Sequence, residues 1–148
     1  MYRPILIALI AAAPGLAAAQ GAGVQAGRWE IVTTVQSIDM PGMPAGIVNM
    51  MKGKPIKVSH CITPEEAARG PQDLMKTNKQ CQFTRYSMVG GKLASEMVCK
   101  QNGGTTTSTS TGSFTPTSFT AAGHSVTTGG QAMTLDATTV GRRIGDCK

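Results

Sequence analysis

From Gly27 onward, apolar and polar positions alternate with a period close to two over most of the chain, the spacing of strands with one buried face. Between Trp29 and Ile38, Trp29, Ile31 and Val35 share one side, while Glu30, Thr34 and Gln36 share the other; Val32 is the exception. Trp29 is the expected core anchor of its end of the sheet. A short strand follows from Ile56 to Ile62 and carries His60-Cys61. The stretch Cys81–Cys99 reads as a hairpin around Gly90-Gly91. A two-residue turn there sets Val89 opposite Lys92 and fixes the register. Extended without a break, it places Met88 opposite Leu93, Tyr86 opposite Ser95, Thr84 opposite Met97 and Gln82 opposite Cys99. Tyr86, Met88, Leu93, Met97 and Cys99 then form the core side, with Cys81 on the opposite face. A shift of a single residue would reverse that assignment.

Asn102-Gly103-Gly104 turns the chain again, and Thr105 to Thr120 is nearly all Thr and Ser, with Phe114 and Phe119 near its end. Composition alone permits a linker or a glycosylated stalk. The alternation at Thr105, Thr107, Thr109 and Thr111, and the fit of Thr to a pleated surface, favour strands turned at Thr115-Pro116-Thr117. Phe119 to Thr128 and Gln131 to Val140 form the last hairpin, around Gly129-Gly130, with Met133, Leu135 and Ala137 on one side.

Two segments break the pattern. Asp39 to Pro55 is punctuated by Pro and Gly and carries Met40, Met43, Met50 and Met51. It is read as a loop, with one helical turn available at Ile47–Met51. Connections of that length are functional or mobile. Thr63-Pro64-Glu65-Glu66 is a helix start: Thr at the N-cap, Pro in the first position, and Glu66 placed to reach back in a capping box. That helix is expected to run to about Arg69, with Gly70-Pro71 interrupting it before a further turn at Leu74-Met75. Glu65 and Glu66 suit the helix dipole and are not read as a catalytic pair. The fold class is therefore mainly β: an antiparallel meander, curved sheet or partial barrel of about six to eight strands, with one short helix.

The N-terminus changes the picture of where this domain works. Arg3, the apolar run Ile5–Ala13, the Pro14-Gly15 break and Ala17-Ala18-Ala19 make residues 1–19 a secretory signal peptide, leaving 20–148 as a single domain. No later segment approaches the roughly 20 apolar residues of a transmembrane helix. The expected location is the periplasm or the exterior. Four cysteines in such a protein imply two disulfides. Their wide spacing speaks against a zinc knuckle. The expected pairs are Cys61 with Cys81, closing the helical excursion, and Cys99 with Cys147, holding the C-terminal strand. With few aromatics to build a core, such staples matter more.

The formal net charge of +6 is scattered, apart from Lys52, Lys54 and Lys57 and the pair Arg142-Arg143. For an exported protein this implies solvated or anionic envelope surroundings and not nucleic acid. Met40, Met43, Met50 and Met51, with His60 nearby in sequence, are the candidate metal ligands, since thioether and imidazole suit Cu(I). The chain has no G-x-S-x-G elbow, phosphate loop, H-E-x-x-H or C-x-x-C pair. No catalytic residue and no cofactor is assigned.

Gly27-x-Trp29-Glu30, the Met-Pro-Gly loop, Cys61-x-Thr63-Pro64-Glu65, the cysteine-flanked hairpin and the ending Gly141-x-Arg143-Ile144-Gly145-x-Cys147 together resemble the secreted bacterial domain-of-unknown-function family numbered thirty-six seventeen. The resemblance spans nearly all of the chain after the leader. It implies an exported protein of a Gram-negative bacterium and implies no activity, cofactor or catalytic residue. The function expected is that of a non-enzymatic β domain binding an apolar or lipid-like ligand or an envelope component. The alternatives are copper handling through the methionine loop, and an enzyme of unrecognised type.

Overall fold

The computed structural model describes residues 23–75, 79–101 and 103–148, with the side chains of residues 71 and 73–75 left aside. The expected leader lies outside the described residues, as does Asn102 of the expected turn. The elements follow in the order β1 (Gly27–Asp39), α1 (Ala45–Met51), β2 (Pro55–Ile62), α2 (Pro64–Met75), β3 (Cys81–Val89), β4 (Lys92–Gln101), β5 (Gly104–Thr115), β6 (Ser118–Thr128) and β7 (Met133–Gly145). All seven strands join one open, curved antiparallel sheet in the order β2-β1-β7-β6-β5-β4-β3. The run from β3 to β7 is a meander of successive hairpins, as the Gly-Gly turns predict. β1 then lies along β7, and β2 and β3 are left as the two edges. The connection through α2 consequently leads from one edge of the sheet to the other.

Local chemistry accounts for most boundaries. Gly90 and Gly91 take φ of 58° and 73°, the left-handed pair of a type I′ turn, and Val89 pairs with Lys92 as the sequence predicts. At the start of α2, the Thr63 N–H donates to Glu66 Oε2 at 2.8 Å and the Glu66 N–H to Thr63 Oγ1 at 3.2 Å, so the capping box is made in both directions. The helix kinks at Gly70, where the sequence places its interruption. The methionine segment departs from its loop reading. Ala45–Met51 is helical, although Pro44 provides no side-chain cap and nothing in the helix is buried.

The expected register holds from the turn to Tyr86–Ser95 and Arg85–Glu96, then fails. A bulge at Thr84 lets Phe83 face Met97 and Cys81 face Cys99. The expected disulfides are corrected accordingly: the bridges are Cys81–Cys99 and Cys61–Cys147. Cys61 and Cys81 cannot close the excursion between them because β2 and β3 are opposite edges. Each bridge instead pins one edge strand to its own side of the sheet. Cys61, on β2, reaches past β1 to the chain beyond β7, and Cys81, on β3, is tied to β4. Edge strands have partners on one side only and are the first to fray, which is where a covalent tie does most.

The buried apolar residues are Trp29, Val35, Ile38, Cys81 and Cys99. Val35 and Ile38 share a face despite their spacing, because the β1–β7 register shifts between Val35 and Ser37. All five point to the same side, from both flanks of the sheet, and this side is the inside of the curve. Gly112 marks a close approach of backbones: a Cβ there would collide with the Thr120 carbonyl of the neighbouring strand.

Candidate functional site: the inner face of the sheet

The pairing registers place the same-side residues of β5, β6 and β7 in cross-strand rows: Gly112–Ala121–Thr139, Ser110–Gly123–Ala137 and Ser108–Ser125–Leu135. Apart from Leu135 this is a floor of small side chains, with Phe114 and Phe119 at one end of the same face and Met133 at the other. Its hydroxyls are turned sideways to one another. Ser108 and Ser125 are 2.8 Å apart, Thr106 and Thr127 2.8 Å, and Thr33 and Thr139 3.1 Å. A hydroxyl engaged with its lateral neighbour leaves methyl and Cβ surface facing inward. The flanks carry the bulk. On β1 stand Trp29, Ile31, Val35 and Ile38; on β3 and β4, facing them, stand Phe83, Tyr86, Met88, Leu93 and Met97. The β3–β4 side chains are half-buried, neither packed away nor solvated. The Phe83 and Tyr86 rings lie 5.1 Å apart, and burial pushes the Tyr86 phenol above its usual pKa. These registers read as an apolar trough, with mostly small residues along its floor and bulky ones on its walls.

One end of the trough is closed by the segment Gly23–Ala26. The Gln25 N–H donates to the Pro116 carbonyl at 2.8 Å, Trp29 Nε1–H to the Gln25 carbonyl at 2.9 Å, and Arg143 Nε–H to the Ala26 carbonyl at 2.7 Å. Gly23 sits against Met88 and Phe114. Trp29 stacks on Phe119 with ring centroids 6.0 Å apart, and Phe119 occupies the space over Gly141 that any Cβ there would fill. Arg143 also pairs with Asp146, and Cys147 completes its bridge to Cys61. The residues that carry the resemblance at both ends of the chain, Gly27-x-Trp29-Glu30 and Gly141-x-Arg143-Ile144-Gly145-x-Cys147, thus converge on one structural clasp. They join the first strand to the last and hold no reactive constellation.

The opposite face bears a polar line that only the register reveals. Ser37 on β1 donates to Asp136 Oδ2 at 2.5 Å, and Asp136 Oδ1 accepts from His124 Nδ1 at 2.6 Å. The Ser37 and His124 hydrogen bonds hold the Asp136 carboxyl below its usual pKa. The carboxylate is the central member, so Ser37 does not contact the imidazole, and the nucleophile–base contact of acyl-transfer enzymes is not made. The line borders a shallow open dish of about 290 Å³ lined by Gln36, Thr109, Thr111, Ala122 and Thr138. The dish is wide to solvent, and its polar rim offers no enclosure for a ligand.

The copper candidates are divided. His60 is opposite Trp29 near the start of β1, whereas Met40 follows directly on the last residue of that strand. At about 3.3 Å per residue, roughly 30 Å of strand separates them. The end of α1 is tied to the middle of β1, where the Gly53 N–H donates to the Val35 carbonyl at 2.9 Å, so Met50 and Met51 are also remote from His60. Among the described residues, no three His, Cys, Asp or Glu side chains are grouped to hold a metal ion. No helix among them is long and apolar enough to cross a membrane.

The fold and its trough define a disulfide-pinned, open antiparallel β-sheet protein with an apolar inner face. The family model described as "Protein of unknown function (DUF3617)" matches residues 24–147, and the chain belongs to that family. No curated protein and no solved structure matches it.

Proposed function

We propose that this is a non-enzymatic, exported β domain whose inner face binds an elongated apolar or lipid-like molecule. The observation that carries the reading is the make-up of the inner face: bulky apolar residues on β1 and β3–β4 flank a middle that is mostly Gly, Ala, Ser and Thr on β5–β7, with Leu135 the large exception. In a curved sheet whose interior is filled by its own side chains, the floor positions would carry Leu, Ile or Phe. Here most stop short, Leu135 and the end row Phe114–Phe119 excepted, and the β3–β4 wall residues are left half-buried. Ligand sites are of this kind, concave and mostly apolar with few polar groups. Export is supported by the leader-like residues 1–19 and by both disulfides, which persist in oxidising compartments. The non-enzymatic reading is supported by the Ser37–Asp136–His124 order, which holds the imidazole without presenting it a nucleophile.

The test is native mass spectrometry of protein purified from its own host, followed by organic extraction. The expected result is an adduct in the lipid mass range that extraction removes and that is absent when Leu93→Asp and Met97→Asp charge the wall. Recovery of ligand-free protein that also fails to take up fatty acid or phospholipid overturns the reading.

A further inference from the structure

The helix α1 is hard to explain as part of the domain's packing. It has seven residues, no side-chain cap and no buried residue. Yet Ile47, Met50 and Met51 stand at i, i+3 and i+4, the spacing of one helical face, and are 43%, 58% and 40% exposed. A helix in a domain this poor in buried apolar residues would be expected to turn such side chains inward. The charges around them are of one sign. Between Asp39 and Glu65 the chain has no acidic residue, and it carries Lys52, Lys54 and Lys57. Lys57 is paired with Glu30 at 3.1 Å. Lys52 and Lys54 bracket Gly53 directly after the exposed methionines and have no acidic neighbour in sequence. An apolar face rimmed by lysines has the composition of an interfacial element: the apolar side chains enter the acyl boundary and the ammonium groups rest among anionic headgroups.

We propose that α1 and the turn that follows it form a docking tip for the surface of an anionic lipid bilayer, with Ile47, Met50 and Met51 entering the membrane and Lys52 and Lys54 contacting phosphate. The occupant follows from the charge. A second copy of this chain would bring the same lysines face to face, whereas an anionic headgroup layer neutralises them. The proposal stands apart from the trough, since the tip can dock whether or not the inner face holds a ligand.

Flotation of the purified protein with vesicles tests it. Vesicles of phosphatidylcholine containing phosphatidylglycerol should carry the protein upward, and vesicles of phosphatidylcholine alone should carry much less. Ile47→Ser with Met50→Ser should weaken binding at least about tenfold, given the transfer free energy of two such side chains. Lys52→Gln with Lys54→Gln should weaken it roughly fivefold per lysine and flatten its salt dependence. These positions are exposed, and circular dichroism should show both variants folded. Both should retain any binding of free fatty acid by the trough, which separates this proposal from the preceding one. Failure of the folded protein to float with anionic vesicles, or flotation that neither variant weakens, overturns the proposal. So does a concentration-dependent dimer that Ile47→Ser with Met50→Ser abolishes.

Discussion

Cys81 and Cys99 face each other directly across the β3–β4 pair because Thr84 is bulged out of the ladder between Phe83 and Arg85. The bulge carries a covalent consequence: counted straight from the Gly90-Gly91 turn, the two sulfurs would lie on opposite faces. Non-reducing peptide mapping is expected to recover Cys81–Cys99 and Cys61–Cys147 crosslinks. Deletion of Thr84 should make the ladder regular while leaving Phe83 opposite Met97 and Cys81 opposite Cys99, so the Cys81–Cys99 crosslink should survive it. A Cys61–Cys81 peptide from the native protein would contradict the sheet order.

The two bridges should differ in what they contribute. They close separations of 86 and 18 residues. In the chain-entropy model this makes Cys61–Cys147 worth about 4.5 kcal/mol and Cys81–Cys99 about 3 kcal/mol. Chemical denaturation of Cys61→Ser with Cys147→Ser should therefore show the larger loss. That variant should also loosen β2 first, seen as faster amide exchange along Pro55–Ile62.

Gly141 is required by Phe119 and by no turn. A Cβ at that position would occupy the space of the Phe119 ring, which is stacked on Trp29. Gly141→Ala is expected to destabilise the domain by about 1–3 kcal/mol, the usual cost of overpacking. Combining it with Phe119→Leu should recover part of the loss, since the smaller side chain frees the space. Thermal midpoints of the single and double variants give the comparison, and full additivity would contradict the contact.

The polar line on the opposite face predicts a pH dependence of definite sign. Asp136 is held below the ordinary aspartate range by Ser37 and His124. A carboxyl depressed in the folded state adds stability that is fully present above its unfolded pKa and is lost as the pH falls through the folded value. Asp136→Asn should accordingly be less stable than the parent at neutral pH, and the two should converge in acid. Urea titrations across the acid range measure this. A difference that grows toward low pH would have the wrong sign.

Much of the fold is legible in the residues because its signals are local. The Gly90-Gly91 turn, the capping box at Thr63–Glu66, the Gly70 interruption and the alternation of the Thr-rich strands each depend on neighbours a few positions away. The bulges at Thr84 and Gln36 are not legible in this way. Both residues suit an ordinary strand, and the extra position shows only once a partner strand is in place. Of α1 the sequence offers only the turn Ile47–Met51 within a loop, for a different reason. Seven residues flanked by Pro and Gly, with no capping side chain, carry too little propensity to outweigh the breakers. The site is the least legible part. Its floor is visible as a run of Ser, Thr, Gly and Ala, but whether those residues face inward together depends on the pairing of β5, β6 and β7. The Asp136–His124 contact needs the same register. The adjacency of β1 and β7, which brings the two ends of the family pattern into one clasp, joins residues more than a hundred positions apart.

The inner-face trough has a built-in reporter, because Trp29 is the chain's one tryptophan and lies fully buried at the foot of one wall. Fluorescence of the purified, delipidated protein titrated with fatty acid brominated along its chain reads occupancy directly, since bromine quenches tryptophan only at short range. The account predicts saturable quenching that unbrominated fatty acid reverses by competition, and that is lost when Leu93→Asp and Met97→Asp charge the facing wall of a still-folded protein. Quenching that never saturates, or that is unchanged in the charged variant, would contradict an apolar binding site on the inner face.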